Sequence, residues 1–431
     1  YSSAASDVYK RQIGYSALST EDGNGYNVAI GSYALQDQNA GADAYNIAIG
    51  HNAGKEVTTG TNNVLIGGNT GVALTTGSDN IAIGKATLAT EDAHGRNIAI
   101  GSGALYYLNA GIDAQNVAVG YQAGAAMTTG QYNILLGGEC GDGLTTGTKN
   151  IAIGFRALGA EDAHGRNVAI GYYALAVQNA GADAYNVAIG YYAGKAITTG
   201  VRNVIMGGLA GDALTTGSYN VAVGYDALST EDGDGRNVAV GYQALTTQNA
   251  GADAYNVAVG FYAGTAVTTG TYNTLIGGQA GDALTTGARN VAIGFNALTT
   301  EDGDGRNVAV GYEALKTQNA GADAYNVAVG YQAGLDLTSG INCVLVGRGA
   351  GENVTTGGTN TCVGAKAGDA LTEGSNNILI GYNAAASAVD VDNEITLGDA
   401  NISAFRCADQ SIAALSDGRD KSEVEESPYG L

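Results

Sequence analysis

Apolar and polar positions along the chain follow a pentad, Asn-[Val/Ile]-Ala-[Ile/Val]-Gly or a close variant, repeated over most of its length. The Asn of the pentad falls at positions 27, 46, 63, 80, 97, 116, 133, 150, 167, 186, 203, 220, 237, 256, 273, 290, 307 and 326. The register then continues at Cys343, Asn360, Asn377 and Glu394, so 20 of 22 registers carry Asn. Spacings run 19, 17, 17, 17 and repeat, which places Asn27, Asn97, Asn167, Asn237, Asn307 and Asn377 in steps of 70. Seventeen residues are too few for a helix pair or a propeller blade, but they suit one turn of a parallel β-solenoid. The pattern therefore predicts an all-β parallel β-solenoid, or β-roll, of about 22 coils, with 17- or 19-residue repeats in a 70-residue superperiod and two short strands and two corners per coil.

Side chains alternate along a strand, so in Asn220-Val221-Ala222-Val223-Gly224 the two Val share one face and Ala222 takes the other. Both faces are apolar, and both are expected to be covered. The Val face is expected to fill the coil and the small Ala face to admit a neighbouring chain. Gly224 is expected to turn the corner in a conformation that other residues resist. Coils stacked about 4.8 Å apart would align the Asn amides so that each donates to the next, a structural ladder. Twenty-two coils at that spacing make a rod roughly 100 Å long. Open solenoid ends and edges invite pairing, which favours an oligomer.

Composition narrows the class. The chain has 431 residues, with 69 Gly, 1 Pro, no Trp, 45% apolar and 14% charged residues. That is too apolar for simple disorder, and it lacks the Gly-X-Y period of collagen. No apolar run approaches eighteen residues, so no membrane-inserted helix is expected. A formal charge of −22 repels phosphate backbones, and no nucleic-acid partner is expected.

The array covers residues 13–398 and is followed by a tail at 399–415. Residues 1–12 do not follow the repeat and look like translated adaptor sequence, so they are set outside the fold. Beyond the tail, Ser416-Asp417-Gly418-Arg419-Asp420-Lys421 and Ser427-Pro428-Tyr429-Gly430-Leu431 are the most specific non-repetitive sequence. Residues 416–431 resemble the start of the intramolecular chaperone domain that ends endosialidase-type phage tail spikes and many tail fibres. The opening Ser-Asp-x-Arg-x-Lys of that family is matched at Ser416, Asp417, Arg419 and Lys421. The repeats also resemble the β-roll arrays that precede this chaperone, and the heads of bacterial trimeric adhesins.

The resemblance implies a self-cleaving peptidase that cuts once between Leu415 and Ser416. Ser416 would be the nucleophile and Lys421 its base, with Asp417 and Arg419 completing the motif. A serine requires such a base, and a lysine serves as one only where desolvation lowers its pKa. Most of the chaperone would lie past Leu431, so the chain as it stands is expected to be inert. No turnover enzyme is expected from so regular an array.

Other candidate chemistry lies in the repeats. The corners Glu231-Asp232-Gly233-Asp234-Gly235 and Glu301-Asp302-Gly303-Asp304-Gly305, with Asp253 and Asp323 on the following coils, are candidate Ca²⁺ ligands; the alternative is a solvated acidic turn. No other cofactor is expected. His94 and His164 are 70 residues apart, too far to share a zinc-type ion. Cys140, Cys343, Cys362 and Cys407 have no Cys-x-x-Cys spacing, and three of them replace small or Asn positions, which predicts buried free thiols. The residue after the pentad Gly forms aromatic groups, Phe155, Tyr172, Tyr191; Tyr225, Tyr242, Phe261; Phe295, Tyr312, Tyr331, each group followed by a coil without an aromatic ring. These are candidate glycan contacts, or rings that only stack on one another.

Together these features predict a structural and adhesive segment of a homotrimeric phage tail fibre or spike. Its place is the virion tail, extracellular, and its partner a host-surface glycan or receptor. The head of a bacterial trimeric surface adhesin is the alternative.

Overall fold

The computed structural model describes residues 11–21, 25–160, 163–233, 235–301, 303, 305–404 and 406. They form one parallel sheet of 23 three-residue strands, with no helix among the described residues. The strands run from β1 (Arg11–Ile13) and β2 (Val28–Ile30) to β22 (Ile378–Ile380) and β23 (Ile395–Leu397). Each pairs with its sequence neighbour in unbroken register, as in Val221↔Val238, Ala222↔Ala239 and Val223↔Val240. The chain is thus a β-solenoid of about 22 turns. Arg11 and Gln12, inside the opening set aside from the repeat, pair with Val28 and Ala29; strand pairing uses backbone groups that any residue supplies.

Each coil contains one strand, not the two expected. The remainder is a succession of turns closed by hydrogen bonds to the next coil, such as the Gly211 N–H to the Ala227 carbonyl at 2.9 Å and Thr198 N–H to Thr215 carbonyl at 2.8 Å. Gly224 leaves the strand at φ +138°, and a Cβ there would drive into the carbonyl oxygen of Gly241. Only glycine fits so close an approach at that angle.

The orientation of the strands reverses the expectation. Ala222 is completely buried inside the coil, whereas Val221 and Val223 face outward and are half-buried. Room inside the coil along the strand is limited by the larger side chains that arrive from the turns. Where the strand centre is Ala82, Leu88 six residues later fills the space; where it is Leu65, the matching residue is Gly71. A Cβ on Gly71 would already sit 3.0 Å from Leu65 Cδ2. Ile205 and Gly211 repeat the exchange, and a Cβ on Gly211 would sit 3.1 Å from Ile205 Cδ1. Where the centre is Ala48 and the turn residue Gly54, the Leu35 and Leu65 side chains of the adjacent coils close in, as close packing requires.

The outward Val and Ile form an apolar stripe the full length of the sheet. Ile134, Val204, Met206 and Ile276 on it are 36–39% exposed. A strip about 100 Å by roughly 7 Å is on the order of 700 Å², above the largest apolar patch of a typical monomer.

Candidate functional site

A third interior column lies nine residues after each strand centre. Leu74, Leu108, Leu144 and Leu214 occupy it, and so do Glu91, Glu231, Glu301, Gln38, Gln178, Gln248 and Gln318, all of them completely buried. The acidic corners therefore do not hold a solvated glutamate: the first carboxylate of each described corner points into the core. Most of these polar groups join the Asn column. Gln178 Oε1 accepts from Asn186 Nδ2 at 2.7 Å, and Gln178 Nε2 donates to the Thr198 carbonyl at 2.9 Å. Asn237 Nδ2 donates to Glu231 Oε2 at 3.5 Å and Asn307 Nδ2 to Glu301 Oε2 at 3.3 Å.

The Asn column is structural, but it is not chiefly an amide-to-amide ladder. Along the column Oδ1 accepts the backbone N–H of the next register, as Asn63 donates to Asn46 at 2.8 Å, and on many coils the Nδ2 reaches a carbonyl fourteen residues on, Gly60 for Asn46 at 2.7 Å. Direct amide pairs are longer, 3.2 Å for Asn63 with Asn46. The backbone wins because a buried N–H without a partner is costly.

Among the calcium candidates, Glu231 and Glu301 are interior and Asp232 is exposed. Asp253 forms an ion pair with Arg236 and Asp323 with Arg306, so these carboxylates meet arginine across the coils. Asp234, Asp302 and Asp304 lie outside the described residues, as do Cys407, Ser416, Asp417, Arg419 and Lys421. The described calcium candidates form no ligand cluster. Among the described residues, the one group of three or more His, Cys, Asp or Glu whose ligand atoms all lie within 4.8 Å of one another is Glu91, Asp92 and His94.

Glu91 differs from the glutamates on other coils. Its column neighbours are Leu74 and Leu108, whereas Glu231 and Glu301 are followed by Gln248 and Gln318. Burial pushes its carboxyl up to about 7, with the backbone amides of His94 and Ala110 pulling the other way. Oε1 accepts the His94 backbone N–H at 3.2 Å; no hydrogen bond of ordinary geometry reaches the buried Oε2, although the Ala110 amide is close enough to favour the charged carboxylate. His94 Nδ1, 3.9 Å from Glu91 Oε1, is likewise buried without a hydrogen bond.

The aromatic groups stack within themselves. Phe155, Tyr172 and Tyr191 have centroids 5.7 and 5.6 Å apart; Tyr225, Tyr242 and Phe261, 5.6 and 5.5 Å; Phe295, Tyr312 and Tyr331, 5.8 and 5.2 Å. Their inner faces cover one another, while the rings remain 38–55% exposed. Gly208 and Gly278 interrupt the stacks, and the rings of Tyr225 and Phe295 lean over them. A hollow of about 320 Å³ beside the first group is lined by Asp142, Arg156, Tyr173 and Lys195, among others. Polar groups next to stacked rings are what a sugar requires.

A second stacked column, not among the sequence expectations, lies at the residue before the Asn on several coils. Arg202 sits 5.4 Å from the Tyr219 ring, Arg236 5.7 Å from Tyr219 and 5.4 Å from Tyr255, and Tyr255 stacks on Tyr272 at 5.3 Å. These residues adopt φ near +60°, as Arg202 at 58° and Tyr219 at 63°. Aligning the sequence on the pentad Asn reveals the alternation of Arg and Tyr, but no residue-type rule places a left-handed backbone there.

Cys140, Cys343 and Cys362 are buried and free, as expected. No helix of the described residues is long and apolar enough to cross a membrane. No protein-family model matches the chain, and no curated protein matches it.

Proposed function

We propose that the chain is a structural and adhesive segment of a phage tail fibre or tail spike, assembled as a homotrimer and exposed on the virion tail, where it contacts a host-surface glycan or receptor. The observation that carries this reading is the apolar Val and Ile stripe running the length of the solenoid. A strip of this size matches what one protomer contributes to a standard interface, about 800 Å². Three copies would cover it around one axis, leaving the stacked aromatic groups and the hollow beside Arg156 and Lys195 for sugar. The Ser416 to Lys421 motif supports maturation by one self-cleavage after assembly.

The test is native and intact mass of the chain extended through its downstream coding sequence, beside Ser416→Ala and the outward-face pair Val238→Lys and Val308→Lys. A trimer ending at Leu415, an uncut Ser416→Ala control and dissociation by the Lys pair are the expected results. An uncut trimer would favour the head of a bacterial surface adhesin. An uncut monomer would remove both readings.

A further inference from the structure

We propose that Glu91, Asp92 and His94 bind one divalent first-row cation of the zinc type. The sequence argument against zinc was that His94 and His164 cannot share an ion. The structure removes that objection, because the corner bearing His94 brings its own carboxylates to the same place.

The three ligand atoms lie within 4.8 Å of one another without an ion. Bonds of about 2.0–2.2 Å around a cation require donors roughly 3–4 Å apart, so the corner has to close by about 1–2 Å. Two atoms point independently to a missing partner. Glu91 Oε2, on a side chain with no exposed surface, has no hydrogen bond, and neither has His94 Nδ1, which lies 3.9 Å from the other carboxylate oxygen, Oε1. A cation held by the carboxylate and the imidazole gives both atoms a partner.

Hydrogen bonds from the preceding coil fix the backbone of the corner. Thr75 N–H donates to the Asp92 carbonyl at 2.6 Å, Thr76 Oγ1 to the Ala93 carbonyl at 3.3 Å, and Asn80 Nδ2 to the His94 carbonyl at 3.3 Å. Gly95 N–H donates to Asp113 Oδ1 at 3.1 Å, and Asp113 also pairs with Arg96 at 3.0 Å, so Asp113 is already engaged. One imidazole nitrogen with two carboxylates selects zinc-type ions over calcium, which takes six to eight oxygens. Asp92 is exposed, leaving the outer side of the ion to water. The same five residues, Glu-Asp-Ala-His-Gly, recur at 161–165, where Glu161 and Asp162 lie outside the described residues.

The test is titration of the full chain carrying His164→Gln with ZnCl₂ by calorimetry, repeated after adding His94→Gln or, separately, Glu91→Gln. Melting of each variant without metal reports whether it folds. The expected result is one zinc per chain at micromolar affinity, weakened at least tenfold by His94→Gln, whose side chain is 30% exposed and whose loss leaves melting unchanged. Calcium is expected to bind at least tenfold more weakly than zinc. Zinc binding that survives His94→Gln, no binding tighter than millimolar in the parent, or calcium binding as tight as zinc would each overturn the assignment.

Discussion

The side-chain oxygen of Asn186 accepts the backbone N–H of Asn203, one coil further on, at 2.8 Å. The same side chain donates to the Gly200 carbonyl and to Gln178 Oε1, both at 2.7 Å, and has no exposed surface. One amide therefore satisfies three buried groups that its own coil and the next leave open. Stacking of coils is set by this residue as much as by the strand beside it.

Replacing Asn186 with Ala strands those three partners. Each buried orphan costs about 1–3 kcal/mol, so Asn186→Ala is expected to lose about 3 kcal/mol or more. In a solenoid each repeat touches only its neighbours, and the damage stays local. Hydrogen exchange is the decisive measurement: the Asn203 amide should exchange much faster, with that of Asn63 unchanged. Uniform acceleration along the rod would contradict a locally acting column.

Two glycines ten residues apart separate conformational strain from steric collision. Gly251 has φ +67° and open space where a Cβ would stand; Gly241 has φ +143°, and its Cβ would strike the Gly260 carbonyl. Gly251→Ala should cost about 1–2 kcal/mol, the price of a left-handed L-residue. Gly241→Ala should cost more than about 4 kcal/mol, since the sheet cannot part locally without breaking its register. Denaturant midpoints of the two variants test the contrast, and equal losses would refute it.

Coil length, coil count, the Asn column and the corner glycines were legible because each repeats at a fixed offset, and in-register stacking turns a sequence period into a spatial column. The direction of the strand was not. Val221, Ala222 and Val223 are all apolar, so alternation alone leaves either face inward. Leu228 decides the matter by entering the coil from a turn and leaving room at the strand for a methyl group only. The glutamates of the acidic corners were misread for a related reason. Acid and Gly in a corner suggest solvent, but counting nine residues from Ala222 puts Glu231 in the same inward column as Leu214. The offset was available in the sequence; the residue type obscured it.

The cysteines give a test of the same inward columns that does not depend on stability. Cys140 takes the place of Ala210, Cys362 stands at a strand centre, and Cys343 stands in the Asn column, where it donates its own N–H to Asn326 Oδ1 at 2.8 Å. Burial pushes the thiols of Cys140 and Cys362 up to about 12 and raises that of Cys343. The thiolate is the reactive form, so at pH 8 only about one in ten thousand of the first two would be ionised even if reagent reached them. In a Cys407→Ser chain, a disulfide reagent should therefore label no thiol in native buffer and three in guanidinium. Raising the pH to 9 increases the thiolate fraction only about tenfold, so native labelling should stay negligible for as long as the coil stays closed. Rapid native labelling of one thiol would show that its coil opens, and the position labelled would identify where the rod is weakest.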